Sequence, residues 1–388
     1  MTSTEFDGRN AVALQHIASV DPVWTGITRA SAVTPSGRVL FHAGPPFAHW
    51  DTVPRPVRNS MALAAVYEGW SATPEDALSA LANGDIAFGP AQDYDMVVPL
   101  CGVISPSMAL HVVADTNSAR VKYAALNEGM QHCLRLGADD REIPTFHRWL
   151  NGEYADYLAR RVGSPIRLFP LLVQSQSLGD DGHSRTIAAS GLFRDLLVDT
   201  DTPSDIAEFL GTCGAFALNL WMAAAALTLA AAEGVPDCDL ITRAGGNGTE
   251  FGIQIASRPG HWATTAAAPP RGPIDAGAEG TEVLGAIGDS AVVDVFGLGG
   301  QSLRHAPAVR EALNGYLPSD ALTRPEALLP AELADAGGLR TGLSARAVIS
   351  HGVGPIVLLG LISAEGYGRV GGGAYQPPIE LFRECTTT

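Results

Sequence analysis

Residues 215–232, AFALNLWMAAAALTLAAA, carry no charged side chain, and the nearest charges are Glu208 and Glu233. A run of that length either crosses a bilayer or lies inside a protein as a helix apolar on every face. Here the apolarity is mostly alanine, Asn219 sits in the interior, and neither flank supplies a basic anchor. The fitting reading is a fully buried helix in a large soluble protein. The composition allows it, with 46% apolar and 17% charged residues over 388 positions, enough for about two or three ordinary domains.

The balance of 41 acids against 25 bases gives a net charge of −16, the wrong sign for a nucleic-acid partner. Five widely spaced cysteines without a C-x-x-C pair suit a reducing, cytoplasmic setting. MTSTEFDGRN at the start has neither a basic region nor an apolar one, so no signal peptide is expected.

The pattern along the chain predicts a mixed α/β (α+β) fold: an N-terminal mixed part over 1–116, a helix-rich middle over 117–235, and a β-rich part with glycine loops over 236–388. Residues 38–41 read as a strand, 58–68 as a helix, and Thr73-Pro-Glu as the capped start of another. Residues 96–100 and 110–114 read as strands around a loop. Helical patterning is expected over 117–137, 143–162 and after Ser184 and Thr202. Residues 166–173 form an apolar run, while 266–280 and 324–338 read as Pro-rich connections.

Several places could carry chemistry. SLGDDGHSRT at 177–186 gathers Asp180, Asp181, His183 and Arg185, as a charged turn or as part of a site. The ten histidines show no H-x-x-x-H or H-E-x-x-H pair, so no metal is assigned, although His183 with an adjacent aspartate could be part of a ligand set. Residues 291–296 (AVVDVF) read as a strand leading into Gly297, Gly299, Gly300 and Ser302. That loop is either a plain tight turn or an anion cradle of backbone N–H groups; Ser302 stands where a dinucleotide fingerprint needs its third glycine. Cys101 at a strand end is a nucleophile candidate or a small buried hydrophobe.

Taken in order, HAGPP at 42–46, YEGW at 67–70, GVISPSM at 102–108, NEG at 127–129, LGDDGH at 178–183, FALNL at 216–220, NGTEFG at 247–252 and GDSA at 288–291 form a wider pattern. Over about residues 20–380 the chain resembles the AllG/YlbE-type proteins, a family that includes subunits of oxamate carbamoyltransferase. The resemblance implies a transferase, or a subunit of one, moving a carbamoyl group between carbamoyl phosphate and oxamate or another small amide or amine acceptor. It implies FdrA-type and AllH-type companion subunits and no cofactor; a homo-oligomer is expected, and neither a membrane nor nucleic acid as partner. A non-catalytic ligand-binding scaffold, or a member adapted to another amide or ureido substrate in biosynthesis, is the alternative.

Where the family typically reads G-D-E-x-H-N-R-N, residues 179–186 read GDDGHSRT. Ser184 and Thr186 replace two asparagines and Asp181 a glutamate, while Asp180, His183 and Arg185 stay in register. Gly245-Gly246 likewise stand where alanine and arginine are common. Carbamoyl transfer needs an anion cradle, donors for the carbamoyl oxygen and a proton acceptor. The expected roles are Arg185 for phosphate or carboxylate, His183 for the carbonyl or a proton, and Asp180 for the histidine tautomer. Asn127, Glu128, Asn219 and Asn247 would bind substrate, with His42, Asp289 and His351 as further candidates and the 297–302 loop for phosphate.

Overall fold

The computed structural model describes residues 7–387. The uncharged run forms the helix Phe216–Ala230, buried almost throughout. One side packs on the five-stranded sheet and the other on strand Ile241–Asn247 and helix Ala291–Phe296. Being covered from both sides is why it tolerates no polar stripe. No single helix among the described residues is long and apolar enough to cross a membrane; Ser204–Thr212 and Phe216–Ala230 reach that length only as a pair bent by 68°.

The first sheet runs in the order Met96–Val97, Val121–Ala125, Ala109–Asp115, Pro22–Arg29, Ile166–Arg167, antiparallel except for its first pair. Its strands therefore come from both sides of position 116. The second sheet orders Ala263–Ala266, Glu250–Ile255, Ile241–Asn247 and Ile287–Gly288, all antiparallel. A small sheet joins Ala87–Pro90, Val39–His42 and Val103–Ile104, and a hairpin pairs Val357–Ile362 with Arg369–Tyr375. The mixed α/β class is as expected. Trp24, fully buried, meets His111, Phe193 and Phe216 edge-on where the first sheet faces the helices.

The predicted elements at 38–41, 58–68 and 73 onward are present as Val39–His42, Arg55–Tyr67 and Pro74–Ala82, the last capped by the Thr73 side chain on the Asp76 amide. Three local readings are corrected, at 117–137, 291–296 and 324–338, and the apolar run at 166–173 gains an assignment. Residues 117–137 hold the strand Val121–Ala125, whose burial alternates with period two, rather than a helix. AVVDVF is a helix, Ala291–Phe296, not a strand; a short apolar run fits either by periodicity. The 166–173 run becomes a two-residue strand and then the helix Leu168–Ser177, with Pro170 tolerated in its first turn. The 324–338 connection contains the helix Arg324–Leu328 and the strand Ala331–Leu333.

The glycine loop after Ala291–Phe296 is wedged into the structure. Gly297 has φ 128°, and a Cβ there would lie 1.9 Å from the Arg340 carbonyl oxygen; at Gly300 it would lie 2.2 Å from that of Ile356. Gly297→Ala should thus cost about 3 kcal/mol or more, combining overpacking with backbone strain. Urea unfolding would read this as a lowered midpoint, and an unchanged midpoint would refute the close approach.

Candidate functional site

The segment 177–186 joins two helices, and its own carboxylates build it. Helix Leu168–Ser177 stops as Leu178, Gly179 and Asp180 donate their amides back to Ser175 and Gln176 carbonyls, and Gly179 and Gly182 adopt positive φ. Asp180 is fully buried and accepts from the amides of Ala188 (3.3 Å) and Ala189 (2.8 Å), capping the next helix, Ile187–Leu197. Asp181 Oδ1 accepts from the amides of His183 (2.6 Å) and Arg185 (3.2 Å), closing the turn.

The turn sets His183 against Asp294, with Nδ1 2.7 Å from Asp294 Oδ2. Asp294 lies in helix Ala291–Phe296, and its Oδ1 accepts from the amides of Gly300 (2.8 Å) and Leu358 (3.2 Å). The role foreseen for Asp180 as the histidine's orienting group therefore falls to Asp294. Asp180 instead touches Arg185, 3.7 Å from its Nε. Asp294 escaped the sequence reading, although a lone carboxylate inside AVVDVF was a signal: a charge in a fully apolar run needs a partner. Burial works against the charged imidazole, but the charge and hydrogen bond of Asp294, with the charge of Asp181, outweigh it. The His183 pKa lies above its ordinary value.

His183 lines a cleft of about 590 Å³ with Ser184, Arg185, Asn127, Arg135, Ser290 and Arg369. Among the described residues no group bonds its Nε2. Arg369 is paired with Asp275 at 3.1 Å. Asn127 and Asn219 hold the wall to each other: Asn127 Nδ2 donates to Asn219 Oδ1 (3.0 Å) and the Ala215 carbonyl (2.9 Å), and Asn219 Nδ2 donates to the Ala125 carbonyl. Glu128 does not line the cleft. It lies behind Arg135, accepting from its guanidinium (3.3 Å) and amide (3.0 Å) and meeting His147 Nε2 at 2.8 Å. Of the two hydroxyls that replace the family's asparagines, Ser184 faces the cleft, whereas Thr186 is buried and donates to the Gly214 carbonyl.

Other candidates lie elsewhere. His42 is buried beside Phe47 and bonded through Nδ1 to the Ala43 carbonyl; burial takes its pKa down to about 4, only partly offset by that bond. Asn247 Oδ1 accepts from the amides of Thr249 and Glu250, which makes it a turn former. His351 is exposed at the end of helix Ala345–His351, away from the cleft. The 297–302 loop is not an open anion cradle. Gly299 N–H donates to the Asp181 carbonyl, Gly300 N–H to Asp294, Gly297 N–H to the Val293 carbonyl and Ser302 N–H to that of Gly299. The anion it cradles is the chain's own carboxylate.

Cys101 is buried and its thiol pKa is pushed up by burial, so it behaves as core rather than nucleophile. All five cysteines are free and buried. Among the described residues, no three His, Cys, Asp or Glu side chains are grouped to hold a metal ion.

Asp289, next to the cleft residue Ser290, is fully buried and accepts from the amides of Gly44 (2.9 Å) and Val98 (3.0 Å) and from Gln92 Nε2 (2.7 Å). Desolvation outweighs these donors and raises its pKa from 3.8 to about 7. The folded state then holds this proton over a range where the unfolded state has lost it. The resulting stabilisation is complete below about pH 4 and is lost as pH rises through about 7, on the order of 4 kcal/mol in all. Unfolding free energies measured between pH 4.5 and 7.5 should fall more steeply in the wild type than in Asp289→Asn. Parallel slopes would refute the assignment.

The chain matches the family described as "Oxamate carbamoyltransferase subunit AllG" over residues 86–290, just over half its length. It is 28% identical to the Escherichia coli protein of that same description, over 97% of this chain and 96% of the relative. It is also 28% identical to the E. coli protein YahG, described as uncharacterized, over 97% of this chain and 84% of the other. A crystal structure of a conserved Enterococcus faecalis protein of unknown function superposes with a TM-score of 0.92 at 28% identity, covering 98% of this chain and 96% of that one. The chain therefore belongs to the AllG family of oxamate carbamoyltransferase subunits.

Proposed function

We propose that this chain works as a carbamoyltransferase subunit and that the His183 cleft is where carbamoyl phosphate meets a small amide or amine acceptor. One observation carries the reading: a buried His183–Asp294 pair, with no bond to Nε2 among the described residues, lines the same cleft as Arg185. Arg185 binds the phosphate or a substrate carboxylate. With its pKa raised, His183 serves as an imidazolium donor from Nε2 to the carbamoyl oxygen, where negative charge develops. The acceptor nitrogen forms a C–N bond to the carbamoyl carbon. The C–O bond to phosphate breaks, its electron pair leaves with phosphate, and the proton lost by nitrogen ends on that phosphate.

Companion subunits of the FdrA and AllH types complete the enzyme. The test is phosphate release from carbamoyl phosphate against amide and amine acceptors, with this chain alone, with each companion, and with all together. Acceptor-dependent release that requires this chain supports the reading. Full release by the companions without it would reduce the chain to a scaffold.

A further inference from the structure

Carbamoyl phosphate and oxamate contain no C–H bond, yet much of the His183 cleft is hydrocarbon. Ile187, Leu218, Met130 and Leu100 line it. Met130 and Ile187 are 62% and 57% exposed, in a chain whose other large apolar side chains are mostly buried. The helix Pro307–Ala312 adds Ala308 and Ala312, four residues apart on one face and both exposed, while Val309 between them is buried. Two alanines there leave room beside the polar groups, whereas longer side chains would close it. The cleft's 590 Å³ lies within the range of sites that enclose drug-sized ligands. Two fully polar reactants would leave water against the apolar wall.

We infer that the carbamoyl acceptor of this chain carries a short hydrocarbon group, seated against Ile187, Leu218, Ala308 and Ala312, beside its anionic group and its reacting nitrogen. The inference rests on reading this cleft as the carbamoyl-transfer site. The acceptor's charge faces Arg185, its nitrogen faces the carbamoyl carbon, and its hydrocarbon covers the wall.

The experiment uses the assembled complex, oxamate as the reference acceptor, and a series running from malonamate to 2-ethyl, 2-propyl and 2-butyl malonamate, which fixes the spacing of the polar groups and varies only the hydrocarbon branch. Both binding, by calorimetry on the full chain, and kcat/KM are measured. Each methylene that becomes buried should improve them by about fourfold, and Ala312→Leu should lower the ratio of butyl to unsubstituted acceptor. Binding that tightens along the series supports the hydrocarbon subsite whether or not turnover follows. Turnover of oxamate with no gain along the series overturns it and leaves the carbamoyl reading standing. A gain with the isolated chain that vanishes in the complex also overturns it, because a companion subunit then covers the wall.

Discussion

His183→Gln should lower kcat by about 10²- to 10⁴-fold, the usual contribution of a positioned proton-donating or proton-accepting group, while the protein stays folded. Glutamine is preferable to alanine because its amide can still donate to Asp294, so the buried carboxylate keeps a partner. Arg185→Ala should cost about 10²- to 10³-fold through loss of the anion contact, with little effect on folding because Arg185 is partly exposed and only loosely paired with Asp180. Turnover is measured in the assembled complex, with thermal melts as the folding control. The pH profile separates the histidine's chemistry from its packing. An imidazolium donor supports catalysis below the raised His183 pKa, and activity declines as pH rises through it. That alkaline limb should be absent in His183→Gln. Near-normal turnover in both variants would remove the site from this cleft.

What could be read in advance followed from local chemistry. The run at 215–232 announced a helix buried on every side because nothing in it could face water, and the helix between two layers satisfies that. The turn at 177–186 announced itself by concentrating polar groups between apolar segments. Partners distant in sequence could not be read in the same way. Asp294 lies 111 positions from His183 and Asn219 lies 92 from Asn127, and each pair exists only because helices bring them together. The glycine loop shows a different limit. Glycine indicates that something approaches the backbone closely but not what: here the Arg340 and Ile356 carbonyls and the Asp294 carboxylate occupy the space assigned to phosphate. Over 121–125 the burial alternates but the polarity does not follow it, because the buried positions are Lys122 and Ala124 while Val121 and Tyr123 are half-buried, so the strand is not legible from VKYAA.

Asp294 joins the fold to the site, so its replacement should affect both. Asp294→Ala removes the acceptor of the Gly300 and Leu358 amides together with the counter-charge of His183, all in the interior. Breaking a buried pair from one side typically costs about 3–5 kcal/mol, so a marked drop in melting temperature or failure to accumulate is expected. Asp294→Asn is the informative variant. Its carbonyl oxygen can keep the two amides, so most stability should remain, but the neutral amide no longer favours the charged imidazole. Burial, opposed then only by the charge of Asp181, pulls the His183 pKa down from its wild-type value. NMR titration of the His183 ring reads this directly, without any assumption about substrate. In the complex, the alkaline limb of activity should move to lower pH by the same interval. A titration unchanged from wild type would mean that Asp294 does not set the charge of His183, and the imidazolium role would fall with it.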